Sequence, residues 1–169
     1  MHIFASMKDL DIHIRVSVKQ KQELTDSEHQ LMDEACRATY RSYAPYSHFS
    51  VGAAVELEDG TIVTGSNQEN AAYPSGLCAE RTAVFYANSR YPELAIRKIC
   101  IAARGVDGEF GANPITPCGA CRQVLLEAEQ RSGHPIKIML CSTQSIYFVS
   151  SVKDLLPLSF DDSFLTLDV

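Results

Sequence analysis

From Asp11 to Val18 apolar and other residues alternate strictly, with Ile12, Ile14, Val16 and Val18 in register. That is the period of a half-buried strand. The polar stretch Lys19 to Glu23 follows, so the segment reads as an extra edge strand or as an arm packed on a neighbouring subunit. At Thr25 the period changes. Thr25-Asp26-Ser27-Glu28 forms a capping box, in which the threonine accepts from a backbone N–H three residues on and the glutamate reaches back. Leu31, Met32, Ala35, Cys36, Thr39 and Tyr40 then recur at helical spacing. This helix should stop near Ser42 to Ala44, because Pro45 disfavours helical geometry in the residue before it.

Val51 to Leu57 and Thr61 to Ser66 are predicted as a hairpin turned by Asp59-Gly60. Helical composition returns from Cys78 to Ala87. Ile96 to Ala103 reads as a buried strand, Pro117-Cys118 opens a helix running to about Gln130, and Ile136 to Cys141 and Ile146 to Ser150 are further strands. Ser151 to Pro157 is a short helix ended by proline. Helices alternating with strands in this order predict an α/β fold. The expectation is a three-layer α/β/α arrangement around a mixed five-stranded sheet, plus the extra N-terminal strand. Residues 1–23 are an N-terminal extension and 24–169 one domain.

The chain has 169 residues, 46% apolar and 21% charged, with a formal net charge of -6. These values are ordinary for a globular domain. No basic block is present, which argues against a nucleic-acid partner, whose phosphates need clustered Lys and Arg. A small-molecule substrate fits better. No apolar run approaches membrane-spanning length, and Met1 to Leu10 lack the charged-then-apolar pattern of an export signal. A cytoplasmic protein with no membrane partner is expected. There the six cysteines should be reduced and open to metal. Cys36, Cys100 and Cys141 fall on apolar faces and read as core.

The chemistry is concentrated in Cys78-Ala79-Glu80 and Pro117-Cys118-Gly119-Ala120-Cys121. Cys118 and Cys121 are spaced i, i+3, so on a helix they share a face. Cys78 supplies a third thiol, at a helix N-terminus that favours thiolate. Three protein ligands leave one corner of a tetrahedron free, as in catalytic rather than structural zinc sites. Glu80 is close enough to the metal to move protons without ligating it. A CxxC alone also fits a redox pair or part of a structural zinc site, but the combination with Cys-Ala-Glu is the pattern of zinc nucleobase deaminases.

Those two blocks, with Tyr43 to Ala53, Asn67 to Ala71 and Leu155-Leu156-Pro157, make the chain resemble the small homotetrameric cytidine deaminases. The resemblance covers about Leu24 to Phe160. It implies zinc-dependent deamination of cytidine and deoxycytidine to uridine and deoxyuridine, with one Zn²⁺ per subunit on Cys78, Cys118 and Cys121. Water activated by the zinc is added at carbon-4, and Glu80 shuttles the protons. It further implies that Asn67 and Glu69 bind the ribose hydroxyls, that Phe49 packs on the pyrimidine, and that the backbone around Ala79 reads the base. Tyr73 and Phe160 match aromatics that reach sites across subunit interfaces.

Three thiolates leave the zinc site formally anionic. Arg81 matches an arginine that hydrogen-bonds the ligand sulfurs, and Arg122 is a second candidate for that task. A deaminase of cytosine nucleoside antibiotics such as blasticidin S is the nearest alternative. A non-catalytic zinc or nucleoside-binding module is another, though an intact Glu80 speaks against it.

Overall fold

The computed structural model describes residues 8–165. The export-signal reading at Met1 to Leu10 and the end of the C-terminal tail therefore fall partly outside the described residues. In chain order the elements are β1 (Val16–Lys19), α1 (Asp26–Ala38), β2 (Ser50–Leu57), β3 (Ile62–Ser66), α2 (Ala79–Arg90), β4 (Ile96–Arg104), α3 (Gly119–Ser132), β5 (Lys137–Cys141) and β6 (Ile146–Val149). Short 3-10 turns lie between them, including Tyr73–Ser75 before α2 and Val152–Leu155 after β6. Among the described residues no helix is long and apolar enough to cross a membrane.

The strands form one mixed sheet in the order β1-β6-β5-β4-β2-β3. β4 and β5 run parallel and the other neighbours antiparallel. The predicted five strands are all present, and the N-terminal strand adds a sixth at the edge. It is shorter than the alternation suggested. β1 begins at Val16 because its partner β6 ends opposite it, at Val149. Beyond that residue the chain turns away, and residues 8–15 have no partner strand.

Alternation along the strands sends side chains to two cores. Val55, Ile99, Ile101, Ile138 and Leu140 meet Ala83, Val84, Leu125 and Leu126 of α2 and α3. Ala54, Cys100, Ala102, Met139 and Phe148 meet Leu31, Met32 and Ala35 of α1 on the other face. The cysteines expected in the core, Cys100 and Cys141, are buried, and Cys36 packs at its margin. Thr25 caps α1 as expected, with Oγ1 accepting from Glu28 N and Glu28 Oε2 accepting from Thr25 N at 3.1 Å.

Two glycines let helices lie directly on the sheet. At Gly52 a Cβ would fall 2.6 Å from the Thr39 nitrogen, beside the end of α1. At Gly65 it would fall on the Ala83 amide and 2.6 Å from the Ala79 carbonyl of α2. α2 itself presents Ala79, Ala83 and Ala87 inward, so both sides of that contact are small. This close seating fixes the depth of the α2 N-terminus.

Candidate metal and active centre

α2 and α3 lie on the same face of the sheet, and their first turns meet. Cys78 is the N-cap of α2 and Cys118 the N-cap of α3, both with extended backbone. Neither side chain caps its own helix, which leaves both sulfurs aimed outward. Cys78 Sγ lies 4.0 Å from Cys118 Sγ, and Cys118 Sγ lies 3.4 Å from Cys121 Sγ. The three sulfurs all fall within 4.8 Å of one another. A tetrahedral ion with Zn–S bonds of about 2.3 Å needs sulfurs about 3.8 Å apart. The donor set, its spacing and its softness therefore fit zinc.

The thiols favour anionic sulfur. The Cys121 thiol, Arg81, whose Nη2 lies 3.7 Å from the Cys78 sulfur, and the Cys118 thiol bring the Cys78 thiol down to about 5 against the opposing effect of burial. Cys121 moves the other way, because its proton is the one shared with Cys78 and its loss would set two thiolates side by side. The pair thus holds its first negative charge easily and its second only with help, which a bound cation supplies. Arg81 Nε is buried with no hydrogen-bond partner among the described residues. The other end of the same guanidinium, Nη2, is the group that reaches the Cys78 sulfur.

Arg122 does something else. It donates to the carbonyls of Pro117 and Leu155, at 2.9 and 2.6 Å, and to Thr116 Oγ1. Its guanidinium braces the loop before α3 against the 3-10 turn after β6, so it does not share the charge-balancing task.

Glu80 is the second residue of α2, in its first turn, and is 5% exposed. Burial pushes its carboxyl above the usual glutamate value, and the charge of Cys78 adds to the effect. Two further carboxylates are buried: Glu28, which caps α1 and pairs with Lys19, and Glu129. Glu129 is tied by three hydrogen bonds. Its oxygens accept from Ile136 N, Val152 N and Ser151 Oγ at 2.6 to 2.9 Å, so it ties α3 to its neighbours. Ala79, at the first position of α2, is fully buried.

A cleft of about 260 Å³ opens beside the thiols, lined by Asn67, Glu69, Tyr73, Cys78 and Arg81 among others. The structure thus brings the polar loop and the metal block together, as the sequence order suggested. Phe49 lies next to it, with its ring on a neighbouring cavity under the 105–115 loop. Tyr73 is strongly exposed and meets Tyr46 edge to face at 6.2 Å. Phe160 does not line this cleft. It is exposed, stacks on Phe164, and its carbonyl accepts from Gln123 of α3.

The loop between α1 and β2 is tied down by residues that the sequence did not single out. Glu69 accepts from the backbone of Tyr46 and Ser47, at 2.9 and 3.3 Å, and from Ser47 Oγ at 2.5 Å. The Ser47 hydroxyl, followed by these two amides, holds the half-buried Glu69 carboxyl below its ordinary value. Ser47 Oγ also accepts from Phe49 N. Asn67 Nδ2 donates to Phe49 O, while its Oδ1 accepts from Val51 N and Ser42 Oγ. His48 adopts a left-handed conformation, φ 55°, between these anchors. Pairwise spacing in sequence carries no signal for Ser42 or Ser47, which act across about twenty residues.

An open α/β sheet that places three thiols and a buried carboxylate at converging helix N-termini defines a metal-dependent hydrolase of the zinc deaminase class. The family model of the cytidine and deoxycytidylate deaminase zinc-binding region matches residues 25–132. A cytidine deaminase of Halalkalibacterium halodurans is 39% identical over 132 residues, covering 77% of this chain and 91% of the relative. One of Mycobacterium tuberculosis is 38% identical over 110 residues, covering 63% and 77%. The crystal structure of cytidine deaminase from Burkholderia pseudomallei superposes with a TM-score of 0.67 at 38% identity, covering 81% of this chain and all of that one. The chain belongs to the cytidine and deoxycytidylate deaminase family.

Proposed function

We propose that the protein hydrolytically deaminates cytidine and deoxycytidine, giving uridine or deoxyuridine and ammonia. The observation that carries this is Glu80, a carboxylate buried in the first turn of α2, next to three mutually adjacent thiols. Cys78, Cys118 and Cys121 would hold one zinc per chain, which would supply Lewis-acid activation of water. Glu80 would take one proton from the attacking water and give it to ring nitrogen 3 as the oxygen bonds to carbon-4. It would then take the remaining proton of that new hydroxyl and give it to the amino group, whose bond to carbon-4 breaks to release ammonia. A carboxyl raised by burial suits both directions of transfer near neutral pH. Arg81 offsets the charge of the thiolates. The buried backbone at Ala79 reads the base and excludes water from it.

Glu69 has three of its roughly four acceptor positions occupied by the 46–47 loop, and Asn67 keeps one N–H free. Together they offer a sugar hydroxyl one acceptor and one donor, with Phe49 held alongside to pack on the pyrimidine. Ser47 is a positioning residue in this arrangement. Ser47→Ala should raise KM for cytidine several-fold with kcat little changed; a drop in kcat at constant KM would remove Ser47 from that role.

The exposed aromatics suit a homotetramer with shared active sites, in which Tyr73 and Phe160 reach a neighbour's cleft. Phe85 and Tyr86 of α2 are also about half exposed, at 48% and 57%, and offer the apolar surface such an assembly needs. Residues 24–169 form the catalytic domain and 1–23 an extension, and reduced thiols suit the cytoplasm.

The deciding assay adds cytidine, deoxycytidine, CMP and blasticidin S in turn to zinc-loaded protein and follows pyrimidine absorbance. Turnover of the first two is expected. Turnover of blasticidin S alone would favour the antibiotic deaminases, and no turnover at all would leave a binding module.

A further inference from the structure

The N-terminal arm lies before the region matched by the family model, which begins at residue 25. Leu10, Ile12, Ile14, Val16 and Val18 are 44 to 75% exposed and recur at every second position. No glycine or proline interrupts Lys8 to Lys19. Where β1 is paired, Val16 and Val18 stand opposite Val149 and Tyr147, which belong to or pack on the α2–α3 side of the sheet. Val16 and Val18 therefore extend that side past its last helix, and Leu10, Ile12 and Ile14 continue their alternation in sequence.

The opposite face of β1 is satisfied. Lys19 lies over the Phe148 ring at 4.5 Å and pairs with Glu28 at 3.2 Å. β1 is also the last strand of the sheet, so its outer backbone edge is open. An open edge beside a continuous apolar stripe is a template for strand addition, and the stripe carries none of the charges that usually blunt one.

The charges on the other face indicate which strand is added. Asp9 and Asp11 lie in the first half of the arm, Arg15 and Lys19 in the second, and His13 between them. In parallel pairing with an identical arm, acid would face acid and base would face base. Antiparallel pairing sets acid against base. With a two-fold axis at His13, Asp11 faces Arg15 twice on one side, while Leu10 faces Val16 and Ile12 faces Ile14 twice on the other. Cross-strand pairs of both kinds are stabilising, and a two-fold contact closes on itself rather than propagating.

We propose that the arm, Leu10 to Val18, is a self-association strand that pairs antiparallel with the arm of a second copy of this chain, centred on His13. The pairing joins two six-stranded sheets edge to edge and covers both apolar stripes. It is independent of the zinc centre and of how the catalytic domains themselves assemble.

Residues opposite one another in an antiparallel pair have Cα atoms about 5 Å apart, within the reach of a disulfide. The test uses full-length, zinc-loaded protein under mild oxidation, with the unsubstituted chain as the control for native thiols. His13→Cys should give a disulfide-linked dimer. Asp11→Cys co-expressed with Arg15→Cys should give the mixed dimer, while Asp11→Cys alone should not link. Asp11→Arg added to His13→Cys should lose the dimer, and Arg15→Asp in the same chain should restore it. No linked dimer with His13→Cys, as when the arm folds back on its own chain or meets another partner, overturns the proposal. Linkage of Asp11→Cys alone as fast as His13→Cys does so too, since it indicates parallel or random contact. Cytidine turnover by the linked protein reports the catalytic reading separately.

Discussion

Glu80→Gln will bind a full complement of zinc and lose turnover of cytidine by roughly 10²–10⁴-fold, the range that a positioned acid/base supplies. The amide has the size of the carboxyl, so α2 and its packing are preserved. The three sulfurs that fit zinc do not include Glu80, so metal content is expected to stay at one per chain. What the amide cannot do is accept the water's proton or return it to the leaving amino group. Glu129 does not stand in, because it is held by three structural hydrogen bonds. Zinc measured per chain together with kcat decides the matter. Unchanged turnover removes Glu80 from the reaction, whereas loss of zinc makes it a structural part of the metal site.

Gly65→Ala is expected to destabilise the chain strongly and to disturb the metal centre with it. The added Cβ falls on the backbone of α2, at the Ala83 amide and the Ala79 carbonyl, and no flexible side chain can move out of its way. Overpacking against backbone costs about 3 kcal/mol, equivalent to a melting temperature lower by roughly 6–12 °C in a chain of this size. The helix displaced is the one carrying Cys78 and Glu80, so zinc content should fall with stability even though Gly65 touches neither. Thermal unfolding and zinc content measured together test this. A wild-type melting temperature with full zinc would mean that α2 does not rest on Gly65.

The helix starts were legible because they are local. Thr25 and Glu28 satisfy one another within a turn, and the short spacing from Cys118 to Cys121 puts two thiols on one face whatever the rest of the chain does. The hairpin at Asp59-Gly60 was legible for the same reason: Gly60 takes the left-handed conformation the turn requires, φ 87°. Strand lengths were less so. Alternation marked Asp11 to Val18 as a strand, yet only Val16–Lys19 is paired, because pairing depends on where β6 ends.

The division for the active centre follows the same physics. Cys78, Glu80, Cys118 and Cys121 were readable from the sequence, because metal chemistry restricts both residue type and short spacing. Whether two blocks forty residues apart meet was decided by the sheet, which seats α2 and α3 on one face so that their N-caps come within 4.0 Å. The separate fates of Arg81 and Arg122, identical in type and each next to or near a ligand, were also settled only in three dimensions. One reaches the Cys78 sulfur and the other is spent on carbonyls. So was the clasp of Ser42 and Ser47 on Asn67 and Glu69. Sequence by itself fixes which groups can do the chemistry; long-range packing, which no local pattern encodes, decides which of them are free to do it.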